Sequence, residues 1–250
     1  MNHILDIQYS LNPPLCFDLH VPHAVAPAAP MIIFVHGGAW RAEDKSHWHS
    51  LGQRLASAAA CPVLVPNYRL TPSNPTPDNQ FQHPGHAEDI LQFLNFVTSG
   101  TWSGIDSEST KFDPTGRGLY LLGHSAGAHI LSSIFLDSSN VTPSLTPPAA
   151  LLRLTKGFAL SEGIYDIDQL LNRFPSYRGW FIAAAFGDRV SYEDVSTTRM
   201  VLRQRDAAVG EGLRWLIIHS KGDTLVDQAQ SDGMYEHLGA LYGEEKDKYV

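Results

Sequence analysis

The run Leu119-Tyr120-Leu121-Leu122-Gly123-His124-Ser125-Ala126-Gly127-Ala128-His129-Ile130-Leu131 decides the fold. Its four opening apolar residues predict a buried strand, the glycines around Ser125 a tight turn, and Ile130, Leu131 and Ile134 an apolar helical stripe. A bare G-x-S-x-G pattern recurs by chance. Between a strand and a helix, however, it is the setting in which a serine sits on a strained turn with its hydroxyl exposed. Gly123 and Gly127 stand two positions either side of Ser125, where a missing Cβ lets strand and helix approach. The helix amino terminus also turns its free N–H groups and positive dipole end toward negative charge forming nearby. Ser125 is therefore the candidate nucleophile; the bland reading is a Gly-rich turn with an incidental serine.

Outward from this run, short apolar stretches alternate with longer helical ones. Strands are expected at Met31–Val35, Val63–Val65 with Pro66, Leu119–Leu122, Gly157–Leu160 and Leu213–His219. Helices are expected at Trp48–Ala60, Ala87–Val97, Ala126–Leu136 and Val226–Tyr242. Apolar runs without alternation suit parallel strands covered on both faces, and the strand–helix order argues for a doubly wound α/β sheet. Ile4–Val21 reads as a small antiparallel edge. The loops Thr71–Pro77 and Val141–Pro148 are Pro-rich, and residues 140–190 are the expected place for a cap over the sheet's carboxyl edge. Phe174, Tyr177, Trp180, Phe181 and Phe186 either line a pocket there or pack the cap's underside. No repeat or domain boundary is visible, so residues 1–250 are expected to form one domain.

Bulk composition narrows the function classes. With 43% hydrophobic and 18% charged residues the chain reads as an ordinary globular protein. It has no apolar run of about 20 residues and no secretory leader pattern, so no membrane partner and a cytoplasmic location are expected. The two cysteines, Cys16 and Cys61, make no disulfide framework and have no Cys or His neighbours at metal-ligand spacing. No metal or cofactor is expected. A net charge of −8 without a basic cluster disfavours nucleic acid. The expected partner is a small-molecule substrate, with a homodimer left open.

His36-Gly37-Gly38-Ala39-Trp40 follows the first core strand. Backbone donors aimed at a developing alkoxide need glycines, because a side chain would obstruct the oxygen. Gly37, Gly38 and Ala126 are the expected oxyanion-hole residues, unless the two glycines merely end a strand. His36 is expected to brace this loop. His124 follows the alternation of its strand and is expected to point away from Ser125.

Taken together, HGGAW at 36–40, NYRL at 67–70, HPGHAEDI at 83–90, GHSAGAH at 123–129 and SEGIYDI at 161–167 resemble the kynurenine formamidases (arylformamidases). More widely they resemble the hormone-sensitive-lipase-like esterases of the α/β-hydrolase fold. The resemblance covers about residues 30–230, and Trp40, in the fifth place of HGGAW, is its sharpest pointer. It implies a Ser–Asp–His triad without metal and hydrolysis of N-formyl-L-kynurenine to kynurenine and formate. His36 and Trp40 are then motif and pocket residues. A carboxylesterase acting on short acyl or aryl esters is the alternative.

In hydrolases of this fold the acid follows the serine, and the histidine follows the acid. Asp223, just past the strand LRWLIIH, is the expected acid, while Asp227 suits a helix start. The histidine should follow the last core strand. Asp247-Lys248-Tyr249-Val250 reads as the opening of that strand, with no loop after it. His237 lies inside a helix, and His83, His86 and His129 are out of order. Three explanations follow: a chain shortened at its carboxyl end, which is favoured; a hydrolase-fold protein that binds ligands without turnover; or a substitute histidine. Without a base, Ser125 is a weakly nucleophilic alcohol.

Overall fold

A computed structural model describes residues 1–26, 28–100, 102, 116–203 and 212–250. The amino-terminal edge is an antiparallel pair, β1 (Asn2–Leu11) and β2 (Pro14–Val21). The apolar pentad MIIFV becomes β3 (Met31–Val35), buried at every position. Helix α1 (His49–Ala59), β4 (Val63–Pro66) and α2 (Gly85–Ser99) follow. Then come β5 (Leu119–His124) and α3 (Ala126–Phe135), as the opening run predicts, and a two-residue β6 (Leu136–Asp137). The remainder comprises α4 (Ala149–Leu154), β7 (Thr155–Ser161), α5 (Ile167–Arg173), α6 (Ala183–Phe186), β8 (Val201–Leu202), β9 (Arg214–Ile218) and α7 (Gln228–Tyr242).

The main sheet has seven strands in the order β1-β2-β4-β3-β5-β7-β9, parallel from β4 to β9. The chain winds outward from β3 to β4 on one side, then crosses to lay β5 against β3 on the other. That reversal is a topological switch point, where the carboxyl ends of neighbouring strands open a crevice. The loops after β3 and β5 both emerge there, with Val35 in register with Gly123. The HGGAW loop and Ser125 thus meet because of strand order.

The core continues on both faces, with Phe17, Ile33, Leu64, Phe93, Leu121 and Ile130 fully buried. Between β7 and β8 the chain lies over the carboxyl edge, through α5, a π-helical turn at Arg178–Ile182 and α6. One expectation fails. Residues 246–249 are not a strand but a helical turn, α8 (Lys246–Tyr249), with Val250 N–H donating to the Lys246 carbonyl at 2.8 Å. Burial of Tyr249 explains the difference: its ring stacks on Tyr242 at 4.9 Å and packs over Gly212, a contact made from a helical turn.

Candidate active site

Ser125 sits between β5 and α3 at φ 53° and ψ −115°, a backbone region that side-chain-bearing residues avoid. The flanking glycines explain how the turn closes. A Cβ on Gly127 would lie 2.2 Å from the Val35 carbonyl oxygen, and one on Gly123 2.8 Å from Ala128 Cα. Helix α3 can therefore start directly against β3. Ser125 N–H donates to the Ser161 carbonyl at 2.9 Å, which ties the turn to the neighbouring strand. Among the described residues its hydroxyl makes no hydrogen bond and opens into a pocket of about 360 Å³.

The glycine loop lies across that pocket. A Cβ on Gly37 would come within 3.0 Å of Ser125 Cβ, and Gly38 adopts φ +93°, so neither position accepts a side chain without strain. The Gly37 carbonyl is held from the far side. Tyr68 hydroxyl stands 3.0 Å from it and 3.1 Å from the His36 carbonyl, and His36 Nδ1–H donates to it at 3.0 Å. Across a trans peptide the Gly38 N–H must point the opposite way. Among the described residues, Gly38 N–H and Ala126 N–H donate to no protein acceptor. The His36 ring stacks on Tyr68 at 4.6 Å, and burial holds its pKa below the usual value. It is a neutral strut.

NYRL and HPGHAEDI extend this brace. Arg69 makes paired hydrogen bonds to the buried carboxylate of Asp89, at 2.6 and 2.9 Å, which fixes the segment after β4 that carries Tyr68 to α2. Asn67 accepts from Lys45 N–H and donates to Asp44, tying the same segment to the loop after HGGAW.

Two sequence expectations need correction. Trp40 does not line the pocket: it is fully buried at φ 58°, packed against His129, Phe181 and Phe186 at 5.1, 6.2 and 4.8 Å. The left-handed turn through Ala39 and Trp40 swings the indole under the covering segment, where it anchors the loop. His124, in turn, does not point away from Ser125. It stands in the pocket wall beside Trp48, with Nε2 4.0 Å from Glu162 Oε2, because as the last residue of β5 it keeps to the face of Tyr120 and Leu122, and that face borders the pocket at the strand's carboxyl end. Its Nδ1 is buried without a partner, 2.8 Å from where a Gly37 Cβ would be.

Asp223 lies on the loop after β9, where Oδ1 accepts from Leu225 N–H at 2.7 Å and Val226 N–H at 3.1 Å. Leu225 and Val226 line the Ser125 pocket. Among the described residues no histidine hydrogen-bonds or ion-pairs with Asp223. His237 Nε2–H donates to the Met200 carbonyl, and His129 Nε2–H to that of Val195, so both hold structure. Glu162, at φ 48° just past β7, escaped sequence reasoning. It accepts from Ser220 N–H at 2.9 Å and from the Ser161 hydroxyl, and its only sequence signal was its place in SEGIYDI.

Of the five aromatic residues expected over the edge, Tyr177, Trp180 and Phe181 line the pocket. Phe174 stacks behind Tyr177 at 4.8 Å, and Phe186 is buried against Trp40. Tyr177 hydroxyl donates to the Leu225 carbonyl, and Arg41 to that of Trp180, which join the covering segment to both loops beneath it. A wider cleft of about 700 Å³ lies beside β1 and β2. There Lys45 is held between Asp6 and Asp18 at 2.7 and 2.8 Å, so its charges are already paired. Among the described residues no helix is long and apolar enough to cross a membrane.

Comparison with known proteins agrees with this architecture. The family model of the alpha/beta hydrolase fold matches residues 32–238. A kynurenine formamidase of Meyerozyma guilliermondii is 27% identical over 210 residues, 84% of this chain and 71% of that protein. An isoprenylcysteine alpha-carbonyl methylesterase of Arabidopsis thaliana is 26% identical over 245 residues, 94% of this chain and 52% of that one. Among solved structures, esterase B from Lactobacillus rhamnosis has a TM-score of 0.70 at 19% identity, over 96% of this chain and 71% of the esterase. That likeness is one of fold.

Proposed function

The chain belongs to the alpha/beta hydrolase fold family, and from that premise we propose that it is a serine hydrolase of the formamidase type, with N-formyl-L-kynurenine as substrate. The observation that carries this is Ser125 on its strained turn, with its hydroxyl in an aromatic-walled pocket beside Gly37 and Gly38. Trp48, Tyr177, Trp180 and Phe181 form walls suited to a flat aryl group. The relative from Meyerozyma supports the formamide substrate.

In this mechanism Ser125 Oγ attacks the formyl carbon and loses its proton. The carbonyl oxygen becomes an oxyanion facing Gly37, Gly38 and Ala126 N–H. Collapse breaks the C–N bond, the arylamine leaves with a proton, and water then releases formate from the acylated serine. Asp223 occupies the place that hydrolase order gives to the acid, but its Oδ1 is turned to its own loop. His124 shares the pocket with Ser125 and faces Glu162 through Nε2, which leaves Nδ1 as its unpartnered nitrogen. We assign the proton of Ser125 to this imidazole, whose ring must rotate to reach it, since among the described residues no hydrogen bond joins the two side chains.

The test is labelling of the purified chain with a fluorophosphonate probe, together with formate release from N-formyl-L-kynurenine and turnover of p-nitrophenyl acetate. Labelling and formate release that both vanish in Ser125→Ala support the proposal. Ester turnover with N-formylkynurenine untouched would favour a carboxylesterase, the activity class named for the Arabidopsis relative. Saturable ligand binding without labelling would make the chain a non-catalytic binding protein. Loss of turnover in Asp223→Asn but not in His124→Gln would return the proton to an imidazole held by Asp223.

A further inference from the structure

On the β1–β2 edge three histidines from three elements converge. His3 of β1 and His20 of β2 are direct cross-strand partners, which places their side chains on one face of the antiparallel pair. His49, the first residue of α1, comes down over them. Ring centroids lie 4.8 to 5.3 Å apart, His3 Nδ1 is 2.9 Å from His20 Nδ1, and one ligating atom from each residue falls within 4.8 Å of the others.

We propose that His3, His20 and His49 bind one divalent transition-metal ion, Zn²⁺ foremost, which joins β1, β2 and α1. Imidazole nitrogens suit Zn²⁺, Cu²⁺ and Ni²⁺, and three of them with an open position form a recurrent zinc set. Metal–nitrogen bonds of about 2.0–2.1 Å put two ligating nitrogens about 3–4 Å apart, so modest side-chain rotations close the site. His3 is exposed and His49 half-buried, so the cluster is open on their side, where water would complete the fourth position. His20 is fully buried and fixed.

Two further features fit a built site. The His20 ring occupies the space a side chain at position 52 would need: a Cβ on Gly52 would lie 2.5 Å from His20 Cδ2 and 2.6 Å from its Nε2. That Nε2 has no hydrogen-bond partner, so burial of His20 gains nothing polar there. Gln53, one turn after His49, sets its amide group 2.7 Å from His49 Nε2 and 3.4 Å from His3 Nε2. With the amide turned so that its oxygen faces the rings, it accepts both Nε2 protons, which leaves Nδ1 of each ring unprotonated and able to ligate. Outer-shell acceptors orient metal-bound histidines in this way. The three residues show no ligand spacing in the sequence, since only strand register and helix placement bring them together.

The experiment uses the untagged chain, stripped with EDTA and titrated calorimetrically with ZnCl₂, with Co²⁺ visible absorption as a second readout. One equivalent should bind saturably, and Co²⁺ should show intense d–d bands of low coordination number. His3→Ala and His49→Ala should each weaken binding by about tenfold or more. His47→Ala, at an exposed histidine paired with Glu43, should leave it unchanged. Circular dichroism melts in EDTA verify that the variants fold. No saturable binding up to millimolar Zn²⁺, or equal affinity in the His3 and His49 variants, overturns the proposal and leaves three rings packed against one another.

Discussion

Replacing Ser125 by glycine should stabilise the protein while removing the hydroxyl proposed as its nucleophile. At φ 53° and ψ −115° the serine Cβ is strained, and such residues cost about 1–3 kcal/mol. Glycine relieves this strain but loosens the unfolded chain, which offsets about 0.5–1 kcal/mol. The proper reference is Ser125→Ala, which lacks the hydroxyl yet keeps the Cβ and its strain. Relative to alanine, glycine should gain about 0.5–2 kcal/mol, or roughly 1–8 °C in midpoint for a chain of this length. Urea unfolding followed by tryptophan fluorescence measures the difference, with an unchanged slope showing that the unfolded state is comparable. Fluorophosphonate labelling should be absent from both variants. Equal or lower stability of Ser125→Gly would refute the claim that the turn stores strain for the sake of its hydroxyl.

Gly127→Ala should destabilise severely, because a Cβ 2.2 Å from the Val35 carbonyl forces α3 off β3; a loss above about 2 kcal/mol of unfolding free energy is expected from urea titration. Tyr68→Phe removes the hydroxyl that holds the Gly37 carbonyl, so stability should fall by about 1–2 kcal/mol. If the proposed activity holds, kcat should fall with KM little changed, as the hole loses definition. Acid should weaken the fold through its buried histidines. Burial lowers His129 to about 4 and His86 to about 3, so between pH 6.5 and those values the unfolded chain binds protons that the folded chain refuses. Their contribution is therefore whole above pH 6.5 and falls by up to about 1.4 kcal/mol per histidine for each pH unit below it. Urea midpoints at pH 7.5, 5.5 and 4.5 measure this, and His86→Gln should flatten the slope.

Local chemistry was legible and long-range chemistry was not. The elements around Ser125 could be read because strand, turn and helix are adjacent in the chain and their glycines have one steric purpose. The meeting of HGGAW with Ser125 needed only the expectation of a parallel sheet. Trp40 leaves the pocket because two left-handed residues, Ala39 and Trp40, reverse the side chain's direction, and sequence carries no signal for that. His124 obeys the alternation of β5, but sequence does not show that the face it shares with Leu122 borders the pocket at the strand's carboxyl end. The helical turn at 246–249 depends on Tyr249 finding Tyr242, a contact that four residues cannot announce. Glu162 and the histidines at 3, 20 and 49 become neighbours only through sheet order and register.

The clamp on the Gly37 carbonyl separates two tasks that many binding sites mix. Tyr68, His36, Arg69 and Asp89 set the loop from behind, whereas Tyr177, Trp180 and Phe181 form the walls from above, on a different part of the chain. In the proposed reaction, substitutions at Tyr177, Trp180 and Phe181 should therefore change which acyl group fits while the glycine loop keeps its aim at Ser125.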